Sequence, residues 1–91
     1  MRVRITDPAK ADLSKIKLYL QGESPAAARK VGPQLRTAFS SLAAFPQRGR
    51  PGLVAGTREN VSVSPYVIVY RITPDAIEVL RVWHQAQDRQ G

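Results

Sequence analysis

The sequence predicts an α+β fold of two layers, in the order β-α-α-β-β-β, with a helical hairpin packed on one face of a mainly antiparallel four-stranded sheet. Three observations predict it. Two amphipathic helical patterns follow each other with almost no linker, the last third of the chain carries apolar runs rich in Val, Ile and Tyr, and 91 residues leave room for one thin core. The chain, 1–91, is therefore expected to be a single domain with a polar, flexible tail from about residue 86.

Residues 2–6 read Arg, Val, Arg, Ile, Thr, the period of two that marks a half-buried strand with Val3 and Ile5 inward. Asp7 and Pro8 then open a helix, Asp as the cap and proline where its missing N–H is harmless. Ala9, Leu13, Ile16 and Leu20 fall on one face, and the pattern runs to about Gly22. Ser24 and Pro25 give a second start. Ala28, Val31, Leu35, Ala38, Phe39 and Leu42 form its stripe up to Phe45, and Pro46 stops it. Gly32 and Pro33 interrupt this second helix, so a kink or break is expected there.

Residues 46–57 read as loop, punctuated by Pro46, Gly49, Pro51, Gly52 and Gly56. Arg48, Arg50 and the adjoining Arg58 make this acid-free stretch a candidate for contact with a target through phosphates or carboxylates. Residues 59–64 alternate again with Val61 and Val63 inward. Tyr66–Ile72 and 77–83 then form a hairpin around a turn at Pro74 and Asp75. Counting outward from that turn pairs Arg71 with Glu78, Val69 with Leu80 and Val67 with Val82 on one face. The other face pairs Ile72 with Ile77, Tyr70 with Val79, Ile68 with Arg81 and Tyr66 with Trp83. The heavier set belongs under the helices, each large side chain contributing about 1.5 to 3 kcal/mol when buried. That leaves Val67, Val69, Leu80 and Val82 as a bare aliphatic strip, rimmed by Arg58, Arg71 and His84, for which a partner is the expected cover.

Fourteen Lys and Arg against seven Asp and Glu give a net charge of +7, which favours acidic partners. With no cysteine and one histidine the chain offers neither a disulfide nor a dedicated metal site, and no cofactor is expected. No apolar run is long enough to span a bilayer and the N-terminus lacks a signal peptide's apolar block, so a cytoplasmic location is expected. His84 has the residue type for acid–base work, but it stands at a strand end without matching cations. Arg81 suits an ion pair with a helix acid such as Asp12 as well as it suits contact with a target.

Several blocks in this order resemble the RelE/ParE superfamily of toxins from type II toxin-antitoxin modules, and most of all its ParE branch. They are residues 7–20 with Asp12 and Leu13; Ser24, Pro25 and Ala26; Phe45, Pro46, Gly49 and Arg50; Gly56, Thr57, Arg58 and Glu59; residues 66–70; and Leu80, Arg81, Val82 and His84. The resemblance implies a cognate antitoxin, acidic and partly disordered when free, seated on Val67, Val69, Arg71, Leu80, Val82 and His84. For the ParE branch it implies inhibition of DNA gyrase by protein binding, without a catalytic set and with Arg48, Arg50 and Arg58 toward the target. The RelE branch implies instead a metal-independent, ribosome-dependent mRNA endonuclease, for which Arg58, Arg81 and His84 would be the reduced catalytic set. Much of that branch's usual set is missing: the candidate second meander strand offers Asn60 and Ser62, Val67 follows Tyr66, and no Tyr follows Tyr70. A non-toxic, DNA-associated accessory protein is the third expectation, with the basic loop on phosphates.

Overall fold

The computed structural model describes residues 1–86, so the expected tail lies almost wholly outside the described residues. Strand β1 (Arg2–Ile5) leads into helix α1 (Asp7–Glu23) and helix α2 (Pro25–Ala44). A single 3-10 turn (Pro46–Arg48) is followed by β2 (Arg50–Pro51), β3 (Arg58–Asn60), β4 (Tyr66–Ile72) and β5 (Ala76–His84). The sheet has five strands in the order β1-β5-β4-β3-β2, with β1 parallel to β5 and the other pairs antiparallel. The architecture is the expected α+β one with one strand more. That extra strand, β2, is two residues long, too short for a periodic signal, and it lies in the stretch expected to be loop.

Both helices begin at caps. Ser24 Oγ accepts the Ala27 N–H at 3.2 Å, as expected. The cap of α1 is Thr6, not Asp7: its Oγ1 accepts the Ala9 N–H at 3.4 Å, and Asp7 is the first helical residue. Thr6 can do this because it directly follows β1, its backbone N–H donating to the Val79 carbonyl at 3.1 Å. Helix α2 runs through Pro33 as one element instead of breaking. Packing explains the continuity, since Leu35, Ala38 and Leu42, all beyond the proline, are buried in the core.

The core lies between the helices and one face of the sheet, where Ala9, Leu35, Ala38 and Leu42 meet Tyr66, Ile68, Tyr70, Ile77, Val79 and Val82. Val3, Ile5, Leu13, Ile16, Leu20, Val31 and Phe39 pack against this cluster. The third apolar run is shorter than expected. Strand β3 stops at Asn60, Val61 is exposed, and the buried residue of the strand is Glu59. Asn60 ends it by turning its side chain back, Oδ1 accepting the Ser62 N–H at 3.0 Å and the Ser62 hydroxyl at 2.6 Å.

The hairpin register is as expected next to the turn and one residue off beyond it. Ile72 faces Ile77, Arg71 faces Glu78 and Tyr70 faces Val79; then Leu80 is bulged, and Val69 faces Arg81, Ile68 faces Val82, Val67 faces Trp83 and Tyr66 faces His84. A bulge adds one residue to one strand and exchanges the faces of everything after it. It sits where β1 ends, and the Thr6 hydroxyl is shared between the carbonyls of Val79 and Leu80 at 2.8 and 3.2 Å, the first of which also accepts the Thr6 N–H.

Candidate functional site

The bulge decides which side chains reach the surface. Val82 turns into the core at 1% exposure, and Val67, on the opposite face beside Trp83, is fully buried, so these two are not part of a bare strip. Only Val69 and Leu80 of the four expected residues remain half-buried. Trp83, expected in the core, lies half-exposed on the helix-free face, where its buried indole N–H finds no acceptor among the described residues.

Ion pairs close much of that helix-free face. Glu78, 6% exposed, is held by Arg71 at 2.6 Å and by Arg4 from the neighbouring strand. Glu59, 4% exposed, accepts from Arg50 Nε at 2.9 Å. At the open edge of β5, Asp12 on α1 accepts from Arg81 Nε and Nη2 at 2.8 and 3.0 Å and from the Val82 N–H at 2.9 Å. This two-point hydrogen bonding raises the Arg81 pKa above its already high value, so the guanidinium stays charged. The Asp12 partner anticipated from the residues is the observed one, although Arg81 faces Val69 instead of Ile68.

The three loop arginines do not share a surface. Arg50 points to the helix-free face and Arg58, opposite Tyr70, to the other. Arg58 Nη1 donates to the Gly49 carbonyl at 2.8 Å, and Tyr70 Oη donates to the Pro46 carbonyl at 2.8 Å while accepting the Gly49 N–H at 3.1 Å. Arg58 thus fastens the loop that joins α2 to the sheet. Gly49 lets that loop close, because a Cβ there would meet Tyr70 Oη at 2.3 Å and the Glu59 carbonyl oxygen at 2.9 Å. Arg48 stacks on the Phe45 ring at 4.0 Å.

His84 lies opposite Tyr66, their rings edge to face at 5.7 Å, and its Nδ1 accepts the Ala86 N–H at 3.0 Å. Burial, with the Tyr19 phenol as a smaller second cause, holds the Tyr66 pKa above 10.0. Arg58 flanks Tyr70 and His84 flanks Tyr66 on the two sides of β4, about 13 Å apart along a strand rising roughly 3.3 Å per residue. Arg81 faces Val69 across the other surface. The three candidate catalytic side chains are therefore not brought together.

An apolar groove lies elsewhere, between the helices. A groove of about 670 Å³ separates α1 from α2, floored by Leu13, Ile16, Leu20, Val31, Leu35 and Phe39 and edged by Lys17, Arg29 and Arg36. Gly32 and Pro33 also line it. The helical stripes were legible in the sequence, but the width of the gap between them was not. No helix among the described residues is long and apolar enough to cross a membrane, and none of their His, Asp or Glu residues gather into a metal-holding group.

The sequence profile described as ParE toxin of type II toxin-antitoxin system, parDE, matches residues 3–89. The chain belongs to the ParE toxin family. It is a type II toxin of the wider RelE/ParE superfamily, and its relatives carry both names. Toxin RelE2 of Caulobacter vibrioides is 42% identical over 79 residues, which cover 87% of this chain and 89% of the relative. A chain of the chromosomal ParDE system from P. aeruginosa superimposes with a TM-score of 0.78 at 27% identity, over 92% of this toxin and 95% of that chain. A chain of the RelBE2 toxin-antitoxin complex from Mycobacterium tuberculosis gives a TM-score of 0.64 at 30% identity, over 91% and 95%.

Proposed function

We propose that this toxin inhibits DNA gyrase by docking on it and is neutralised by a cognate antitoxin, acting in the cytoplasm where gyrase works. The observation that carries the choice of target is the dispersion of Arg58, Arg81 and His84. Each is engaged by neighbours in the fold, and phosphodiester cleavage needs an acid, a base and a cation converging on one phosphate. Docking requires no such convergence.

The antitoxin reading draws on two features. Both structural relatives come from toxin-antitoxin systems, and the groove between α1 and α2 is apolar inside and cationic at the rim, a fit for an acidic amphipathic segment. On the sheet, the antitoxin contact reduces to Val69 and Leu80 with Arg71 beside them, since the bulge carries His84 to the face of Tyr66. A second reading, ribosome-dependent mRNA cleavage, is favoured by the relatives named RelE.

Supercoiling by purified gyrase, measured with the free toxin, tests the proposal against transcript cleavage on translating ribosomes. Inhibition with trapped cleaved DNA is the expected result. Cleavage only in the presence of ribosomes, abolished by His84→Ala, would replace gyrase with the ribosome as target.

A further inference from the structure

Between β2 and β3 the chain makes a tight turn whose outermost residues are apolar. Leu53 and Val54 are each 69% exposed, and Ala55 and Gly56 beside them are exposed too. Slack loops carry polar residues at their tips; this tip is aliphatic and ordered. Thr57 Oγ1 donates to the Val54 carbonyl at 2.6 Å, the Thr57 N–H reaches the same oxygen at 3.1 Å, and the Gly52 N–H donates to the Thr57 carbonyl at 2.8 Å. Gly56 adopts φ +84°, and a Cβ at Gly52 would meet Thr57 Oγ1 at 2.1 Å, so both glycines are required for the turn to close. The fold gains nothing from holding two bare aliphatic side chains in a fixed place. Such pre-organisation lowers the entropy lost when they enter a pocket.

Resting on the docking reading above, we propose that the Leu53–Val54 tip is the part of this toxin that enters its target, and that the occupant facing it is an apolar slot on a protein edged by carboxylates. The tip carries no aromatic ring on which a base could stack, which argues against a nucleic-acid partner. The two strands at its stem bring Arg58, half-buried, and Arg50, half-exposed even while paired with Glu59, so the surround is cationic and suits an acidic rim. None of these residues lines the groove between α1 and α2. A toxin bound through the groove would therefore keep its tip free, and target contact and antitoxin contact would be separable by mutation.

The test replaces Leu53 and Val54 together by serine and, in a second variant, by methionine and isoleucine. Each is expressed without antitoxin at matched level, with the melting temperature of the purified chain as control. The serine pair should lose growth arrest by roughly tenfold or more in effective dose, as truncation of a binding anchor does, with an unchanged melting temperature. The methionine–isoleucine pair should retain arrest. Arrest that survives the serine pair overturns the proposal, and so does equal loss in both pairs. Growth arrest does not depend on which enzyme is struck, so failure of the wild-type toxin to inhibit purified gyrase would remove the gyrase reading alone. If the activity lost with the serine pair is instead cleavage of transcripts on ribosomes, the protein slot is wrong.

Discussion

The two faces of the sheet are closed by different forces. Under the helices Tyr66, Ile68, Tyr70, Ile77, Val79 and Val82 exclude water by packing, whereas the other face relies on carboxylates clasped by arginines that remain half in solvent. A small chain cannot afford a second apolar layer, and an uncovered apolar sheet would aggregate. Charge pairs cover the face while leaving it soluble and accessible. They do so at low gain, since partly exposed pairs contribute on the order of 1 kcal/mol or less.

The largest effect should come from the packed face. Ile77→Ala, deleting a fully buried side chain near the start of β5, should lower unfolding stability by about 3 kcal/mol in urea titration with an unchanged slope. Asp12→Ala should be next, at about 2 kcal/mol, because one carboxylate serves both the guanidinium and the Val82 amide. Glu78→Gln should follow at about 1 kcal/mol, and the difference from wild type should shrink in 1 M salt, the 1 M value being one at which charges more than about 3 Å apart are screened. A loss as large as that of Ile77→Ala would break the contrast between the faces.

A change in the opposite direction is expected at Gly32. A Cβ there meets only Arg36 Nη1 at 3.8 Å, so Gly32→Ala should raise stability by about 0.5 to 1 kcal/mol through helix propensity. The smallest effect is confined to alkaline solution. The Tyr66 pKa is raised above 10.0 in the fold, so its contribution is fully present below pH 10 and is lost as pH rises through the folded value. Tyr66→Phe should therefore lose less stability than wild type above pH 10, read as a shallower fall in melting temperature.

Long, periodic elements were legible in the sequence. The stripe of Ala9, Leu13, Ile16 and Leu20 and the capped start at Ser24 and Pro25 stand where the periodicity put them. What escaped was of three physical kinds. Strand β2 is too short to show a period, and Glu59 is buried with Arg50 paired to it across the sheet. Pro33 stays helical because the burial of Leu35, Ala38 and Leu42 beyond it outweighs its lost hydrogen bond. The bulge at Leu80 moved Arg81, Val82, Trp83 and His84 to the faces opposite those expected, and with Val82 and His84 went two of the six anticipated partner contacts. The arginines were visible as residues, but whether each was committed to a carboxylate, a carbonyl or solvent depended on tertiary neighbours.

Strand β5 lies between β1 and β4, although its residues, 76–84, are the last to be made among all the strands. Until they emerge, β1 has no neighbour, the Thr6 hydroxyl has no carbonyl 73 residues away to bind, and the helices lack most of their floor. Nascent chains thus carry the groove, the basic loop and the apolar tip without the scaffold that aligns them. The surfaces proposed for docking are therefore aligned only once β5 has taken its place in the sheet.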